Sequence, residues 1–331
     1  MQQMEELRAA VKAEAAKIDG YMRRDLAALE ASRDGLLCEV LEYGLFNGGK
    51  RIRPLLVVLA SRLCGNGDED VYRLGCAFEY LHAATLFHDD IIDNSTMRRG
   101  KAAVCRQYGT TQAILAGDFL HAMSMATVGR LAGPRGLEIF CNATIGMVDG
   151  EFMQLRNAAK DNLGEPDYYH AIMKKTGLLI AAACEVGALY GRGTDVQVEA
   201  LRLYGVHLGC AFQIVDDLLD YQGDPARTGK AVGNDLVEGK ITLPIILALQ
   251  MADEEDKRRL TSLLAKDVRA AAVAEVTAIV ARVGGFAAAR ARAESEVAAA
   301  VEGLQIFGLP GQQGERRIFE QLARYVLARE K

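Results

Sequence analysis

Residues 79–93 read EYLHAATLFHDDIID. Tyr80, Ala84, Phe87 and Ile91 recur at four-, three- and four-residue spacing, which is one face of an α-helix and not the alternation of a strand. The helix runs straight into Asp89-Asp90-x-x-Asp93. Positions i and i+4 lie nearly above one another on a helix, so Asp89 and Asp93 share a face while Asp90 points partly aside. Acidic groups at a helix C-terminus oppose the macrodipole, which favours cations there. A bound cation explains why they stand at that end.

The device occurs twice. Residues 211–220, AFQIVDDLLD, again place an Asp-Asp-x-x-Asp cluster at the end of a long apolar stretch. Asp216 and Asp220 share a face, and Asp217 lies aside. One such cluster is most often a solvated helix end. Two of them in equivalent apolar surroundings favour metal binding. Carboxylates without companion His or Cys suit Mg²⁺, which takes a few carboxylates and completes its shell with phosphate oxygens.

Basic groups flank both clusters. Gly48-Gly49-Lys50-Arg51-Ile52-Arg53-Pro54 precedes an apolar helix, and Pro54 suits its first turn. Lys50 and Arg53 then surround a helix N-terminus, where free N–H groups and the dipole favour anions. Arg98, Arg99 and Lys101 follow the first cluster, and Gly229-Lys230 and Gly239-Lys240 follow the second. Each group alone reads equally well as solvated bases or surface ion pairs. Together, beside two acidic clusters, they predict a diphosphate held through metal. His82 lies seven residues before Asp89, on the same stripe, and by spacing alone is more often a core residue than a ligand contact.

Helical periodicity extends over nearly the whole chain. Helices are predicted near 2–18, 21–45, 54–64, 70–93, 111–131, 135–158, 166–190 and 195–221. Shorter ones follow near 242–251, 254–265, 268–283, 286–305 and 313–329. Period-two alternation is absent, so the fold class is all-α. With 331 residues, half of them hydrophobic, and no linker-like stretch, one large domain over residues 1–331 is expected. A net charge of −5 excludes the basic surplus of a nucleic-acid binder. Seven cysteines without a Cys-x-x-Cys pair point to neither a disulfide framework nor a zinc site, and suit a reducing cytoplasm. No run approaches the ~18 apolar residues of a membrane span. Residues 1–43 and 255–331 carry no recognisable chemistry.

From about residue 44 to 250 the chain resembles the trans-isoprenyl diphosphate synthase family. The segments that carry the likeness are GGKRIRP, EYLHAATLFHDDIIDNSTMRRG, GEFMQL, KKTG, AFQIVDDLLDY, GKAVGNDL and EGKITLP. The first acidic block is most similar to long-chain, octaprenyl-type members. The resemblance implies a helical bundle around a deep cavity, usually a homodimer, that adds isopentenyl diphosphate to an allylic diphosphate with three Mg²⁺ ions. It implies that Asp89, Asp93 and Asp216 ligate metal, with Asp90, Asp217 and Asp220 nearby or acting through water. Lys50, Arg53, His82 and Arg99 would bind isopentenyl diphosphate. Arg98, Lys175, Lys230 and Lys240 would hold the allylic diphosphate, and Thr176 and Gln213 would sit beside the reacting carbon. Gly177, inside a helix, permits either a kink that frees carbonyl oxygens or close helix packing. Ala84 and Thr85 are small where short-chain members carry bulk, so the product tunnel is expected to be open there, with Phe78 in a deeper floor.

The alternatives are a shorter-chain synthase, a terpene cyclase, a His-Asp metal phosphohydrolase and a catalytically inert helical partner subunit. DDLLD together with GGKRIRP argues against the cyclase. The only histidine before His88 is His82, too few for the phosphohydrolase, and both acidic clusters are complete, unlike those of an inert subunit.

Overall fold

Asp34 decides where the first two helices part. Its carboxylate accepts from the Leu36 and Leu37 amides, a side-chain N-cap that starts helix α2, Gly35–Leu45. The preceding helix α1, Gln2–Glu30, runs through Gly20 without a break. The sequence predicts the break at residues 19–20; the glycine is tolerated mid-helix because Ile18 and Met22 on either side are fully buried. The computed structural model describes residues 2–157, 164–223, 232–265 and 267–329. Within these the regular elements are helices apart from one two-stranded hairpin, as an all-α fold requires.

The chain divides into two compact units. One comprises Met1–Asn142, Ala182–Arg202 and Ile306–Ile318; the other comprises Ala143–Ala181, Leu203–Gln305 and Phe319–Lys331. In the first, helices α3, Ile52–Leu63, and α4, Asp70–Ile92, form the centre. Nine of the twelve residues of α3 are buried, so it is apolar all round, as a core helix must be. Phe78 of α4 is fully buried and meets Phe140 edge to face at 5.1 Å, an arrangement worth about 0.5–1.5 kcal/mol beyond the area it buries.

After α4 the chain turns through a small hairpin. Strand β1, Met97–Arg98, pairs antiparallel with β2, Lys101–Ala102, with Arg98 opposite Lys101. The two turn residues, Arg99 and Gly100, both have positive φ, 51° and 80°. That is the geometry whose twist suits a two-residue hairpin. A segment this short gives no period to read. A four-residue helix α5, Val104–Gln107, follows.

Helix α6, Thr110–Asn157, is broken at Gly133 (φ 68°, ψ −169°), next to Pro134, in the gap predicted between helices at 131 and 135. In the second unit, helix α7, Glu165–Ile172, passes into a π-helical turn, Met173–Gly177. Helix α8, Leu178–Tyr190, continues from it. Helix α9, Asp195–Gln222, carries the second acidic cluster on its last turns. Gly209 of α9 lies against the π turn so closely that a Cβ there would meet the Gly177 Cα at 2.6 Å. The close packing read at Gly177 is present, and the π turn that ends at it departs from regular α-helix. Gln213, one turn on from Gly209, is brought to the π turn by the same approach. No single described helix is long and apolar enough to cross a membrane.

Candidate active site

The first acidic cluster closes α4. Asp93 is the C-cap, its amide donating to the Asp89 and Ile91 carbonyls, and its side chain is exposed; Asp89 is half-buried. Asp90 turns inward, 2% exposed, and accepts from Arg98 Nε at 2.8 Å and from the Arg98 terminal nitrogen. The outer pair of carboxylates is thus presented at the helix end, while the inner one anchors the hairpin that follows.

The GGKRIRP loop stands beside this end. Arg51 is its fixed point: buried, left-handed at φ 50°, and bonded to Glu79 at 2.7 Å, Asp19 at 2.8 Å and the Leu45 carbonyl at 2.8 Å. Gly49 has φ 143°, a conformation that residues with side chains rarely adopt, and Arg99 reaches past it to donate to the Gly48 carbonyl. Lys50 stays exposed just before α3. Arg53, in the first turn of α3, keeps its Nε buried with no hydrogen-bond partner. Burial lowers its pKa, Glu79 partly offsets this, and Arg99 adds to the depression. A pocket in this unit is lined by Asn47, Arg51, His82, Asp90, Arg98 and Arg99, among others. Arg51, Arg98 and Arg99 bring three guanidinium groups to this pocket, and Arg53 lies two residues beyond Arg51; a planar fork suits phosphate.

Burial holds His82 well below the usual imidazole range, with Arg53, Arg99, Arg98 and Arg51 adding to the effect in that order. The folded chain therefore resists a proton that the unfolded chain accepts near pH 6.5. The stability tied to neutral His82 is complete above pH 6.5 and is lost as pH falls below it toward the depressed folded value. His82→Gln is expected to flatten the fall in urea midpoint between pH 7.5 and pH 5.5; a wild-type slope retained in the variant would assign the titration elsewhere.

Three residues given to chain length lie on α4. Ala84 is 2% exposed, and Thr85 is half-buried with its hydroxyl donating to the His82 carbonyl at 2.9 Å. Phe78 lies deeper along the same helix, sealed by Phe140.

The second cluster repeats the division between outer and inner carboxylates. Asp216 is exposed and pairs with Arg329 at 2.8 Å. Asp217 is buried. Its Oδ1 accepts from the Gln213 amide at 2.9 Å and its Oδ2 from the Tyr168 hydroxyl at 2.5 Å. Burial, and next Asp235, push its pKa up to about 8, against the pull of those two hydrogen bonds. Asp220 is half-buried and accepts from the Asp235 amide at 3.1 Å, tying down the short helix Asn234–Glu238 before Lys240. Lys240 pairs with Glu238 at 2.6 Å and reaches Asp235 at 3.8 Å. Lys230 lies outside the described residues.

The π turn supplies the rest of this half. Lys175 reaches Glu151 at 2.7 Å and donates to Gln154 at 2.8 Å, both in the GEFMQL segment. Thr176, buried, donates to Gln213 Oε1 at 3.1 Å. The wider turn of a π segment disturbs the regular carbonyl pairing beside Thr176, and such turns gather at functional sites.

Among the described residues no group of three or more His, Cys, Asp or Glu side chains forms a ready metal cage. The donors nonetheless fit Mg²⁺, because each cluster offers outer carboxylate oxygens only and leaves the remaining positions for phosphate. Two residues escaped the sequence reading. Tyr168 belongs to no charged motif. Arg329 lies in a stretch read as chemically silent, yet its side chain is 8% exposed, stacks 3.9 Å from the Phe212 ring and keeps Nε and one terminal nitrogen without partners.

The Polyprenyl synthetase family model matches residues 34–283. An octaprenyl diphosphate synthase of Haemophilus influenzae is 36% identical over 80% of this chain and 80% of its own. A short chain isoprenyl diphosphate synthase of Methanothermobacter thermautotrophicus is also 36% identical, over 89% and 90%. Among solved structures, a polyprenyl synthase of Caulobacter crescentus complexed with calcium and isoprenyl diphosphate superposes with a TM-score of 0.86. It is 32% identical, and the match covers 99% of this chain and 98% of that one.

Proposed function

Because the chain belongs to the polyprenyl synthetase family and is an enzyme of prenyl transfer, we propose that it condenses isopentenyl diphosphate head-to-tail (1'-4) with an allylic diphosphate, repeatedly, to a long all-trans product near eight units. The observation that carries this is the repeated carboxylate arrangement: outer oxygens displayed at two helix ends, inner ones bonded into the protein.

Magnesium, three ions by likeness to the family, supplies when bound the positive charge that a departing diphosphate needs. Asp89, Asp93 and Asp216 are its ligands, and Asp90, Asp217 and Asp220 stand behind them as supports. Lys50, Arg53, Arg99 and neutral His82 bind isopentenyl diphosphate; the buried Arg53 Nε gains its missing partner in the phosphate. Arg98, Lys175, Lys230 and Lys240 hold the allylic diphosphate. When its C–O bond breaks, an allylic cation remains, steadied by the Thr176 oxygen, the Gln213 amide and carbonyls of the π turn. The isopentenyl double bond attacks that cation, and the proton then lost passes to the departing diphosphate. Fixed dipoles aimed at the developing charge lower the barrier without having to reorganise.

One domain over the whole chain, in the cytoplasm and as a homodimer, completes the reading. On α6, Ile145, Val148, Phe152 and Leu155 are 66%, 56%, 68% and 65% exposed. They recur at three, four and three residues, the spacing of a helix-pairing seam. Sedimentation at twice the 35.9 kDa chain mass is the corresponding observation.

Incubation with farnesyl and isopentenyl diphosphates and Mg²⁺, followed by weighing the products, tests the whole. A product near eight units is expected. One of three or four units would overturn the length and leave the reaction, whereas no diphosphate release from the two substrates together would overturn the reaction. Ala84→Phe is expected to shorten the product by one or more units; an unchanged product would place the growing tail elsewhere.

A further inference from the structure

Thr176, Gln213, Asp217 and Tyr168 form an unbroken line of hydrogen bonds in which both ends donate toward Asp217. The Thr176 hydroxyl donates to Gln213 Oε1, the Gln213 amide donates to Asp217 Oδ1, and the Tyr168 hydroxyl donates to Asp217 Oδ2. The line fixes which way the Gln213 amide faces, because only its nitrogen can donate to the carboxylate. With that end committed, the carbonyl oxygen must receive the Thr176 proton. The lone pairs of the Thr176 oxygen are then left facing away from its own O–H, available to a positive charge.

Tyr168 is the far anchor of this line. It lies on α7, 4% exposed, with its ring edge to face with Tyr169 at 5.9 Å. Its hydroxyl takes up the Asp217 oxygen that Gln213 does not. Without that bond the carboxylate is free to rotate, and the Gln213 amide loses the acceptor that holds it in one orientation. Networks of this kind act as a unit, so a change at one end is felt at the other.

We propose that Tyr168 is a positioning residue for the transfer step, acting through Asp217 and Gln213 to orient the Thr176 oxygen toward the allylic cation. This rests on the reaction proposed above. It adds a residue outside the charged motifs, one that touches neither diphosphate.

The test is steady-state kinetics with farnesyl and isopentenyl diphosphates on Tyr168→Phe, Thr176→Val and the double variant. Tyr168→Phe is expected to lower kcat about tenfold, with both KM values and the Mg²⁺ half-saturation within twofold of wild type. Thr176→Val should lower kcat at least as much, and Tyr168→Phe should then add less than twofold in its background, since both break one line. Independent, multiplying losses would overturn the relay. So would a raised Mg²⁺ half-saturation with unchanged kcat, which would make Tyr168 a support for the metal-bearing helix only. Should Tyr168→Phe fail to fold by circular dichroism, Gln213→Leu breaks the line at its middle and must reproduce the same kcat loss with unchanged KM; full activity there overturns the proposal. Wild-type protein that fails to join the two diphosphates overturns the reaction itself, an outcome distinct from multiplying losses in variants of an active enzyme.

Discussion

Asp89→Ala is expected to lower diphosphate release by at least about a hundredfold, roughly 3 kcal/mol of transition-state stabilisation. Asp89 is half-buried at the last turn of α4, on the face it shares with the exposed Asp93. Removing a carboxylate from a helix C-terminus relieves an unfavourable interaction with the dipole. The loss of activity should therefore come without a loss of fold: the urea midpoint stays level or rises slightly. Activity and stability measured on the same preparation separate a chemical role from a structural one. Activity within tenfold of wild type would remove Asp89 from the metal-binding set.

Arg51→Met has the opposite signature, a large stability loss at a residue that carries none of the proposed substrate contacts. Arg51 and Glu79 have side chains 3% and 5% exposed and meet at 2.7 Å. Removing the guanidinium leaves Glu79 as a buried carboxylate without its cation, a change that typically costs about 3–5 kcal/mol. The Asp19 partner is 41% exposed and recovers water, so it contributes little. Urea unfolding monitored by circular dichroism gives the number. Arg51→Met combined with Glu79→Leu should recover most of the loss, because replacing both partners by apolar groups avoids the stranded charge. A single variant as stable as wild type would show that the pair does not hold the loop.

Much of this was legible because it is local. The i, i+4 rule placed Asp89 with Asp93 and turned Asp90 and Asp217 aside, and the structure has both inner carboxylates bonded inward. Gly177 marked a helix open to a kink or to close packing, and the predicted gap between 131 and 135 holds the break in α6 at Gly133. What escaped depends on partners distant in sequence. Tyr168 and Asp217 are 49 residues apart, Arg51 and Glu79 are 28 apart, and neither pairing leaves a periodic trace. The break between α1 and α2 was missed for another reason. Gly20 is the stronger residue signal, and the Asp34 cap that sets the true boundary is a single side chain that tertiary packing allows to prevail.

A π turn is an α-helix with one extra residue, its bonds closing over five residues in place of four. Downstream of Gly177 the chain is therefore one position out of phase with what precedes Met173. Loss of a single codon within 173–177 would let an ordinary helix run through and keep the later residues of α8 facing as they do now. Such a deletion is sterically mild and would be hard to distinguish from wild type by fold or abundance. Yet it would erase the bulge that sets Thr176, so among natural variants a one-residue gap here would mark a chain that has kept its architecture and given up its chemistry.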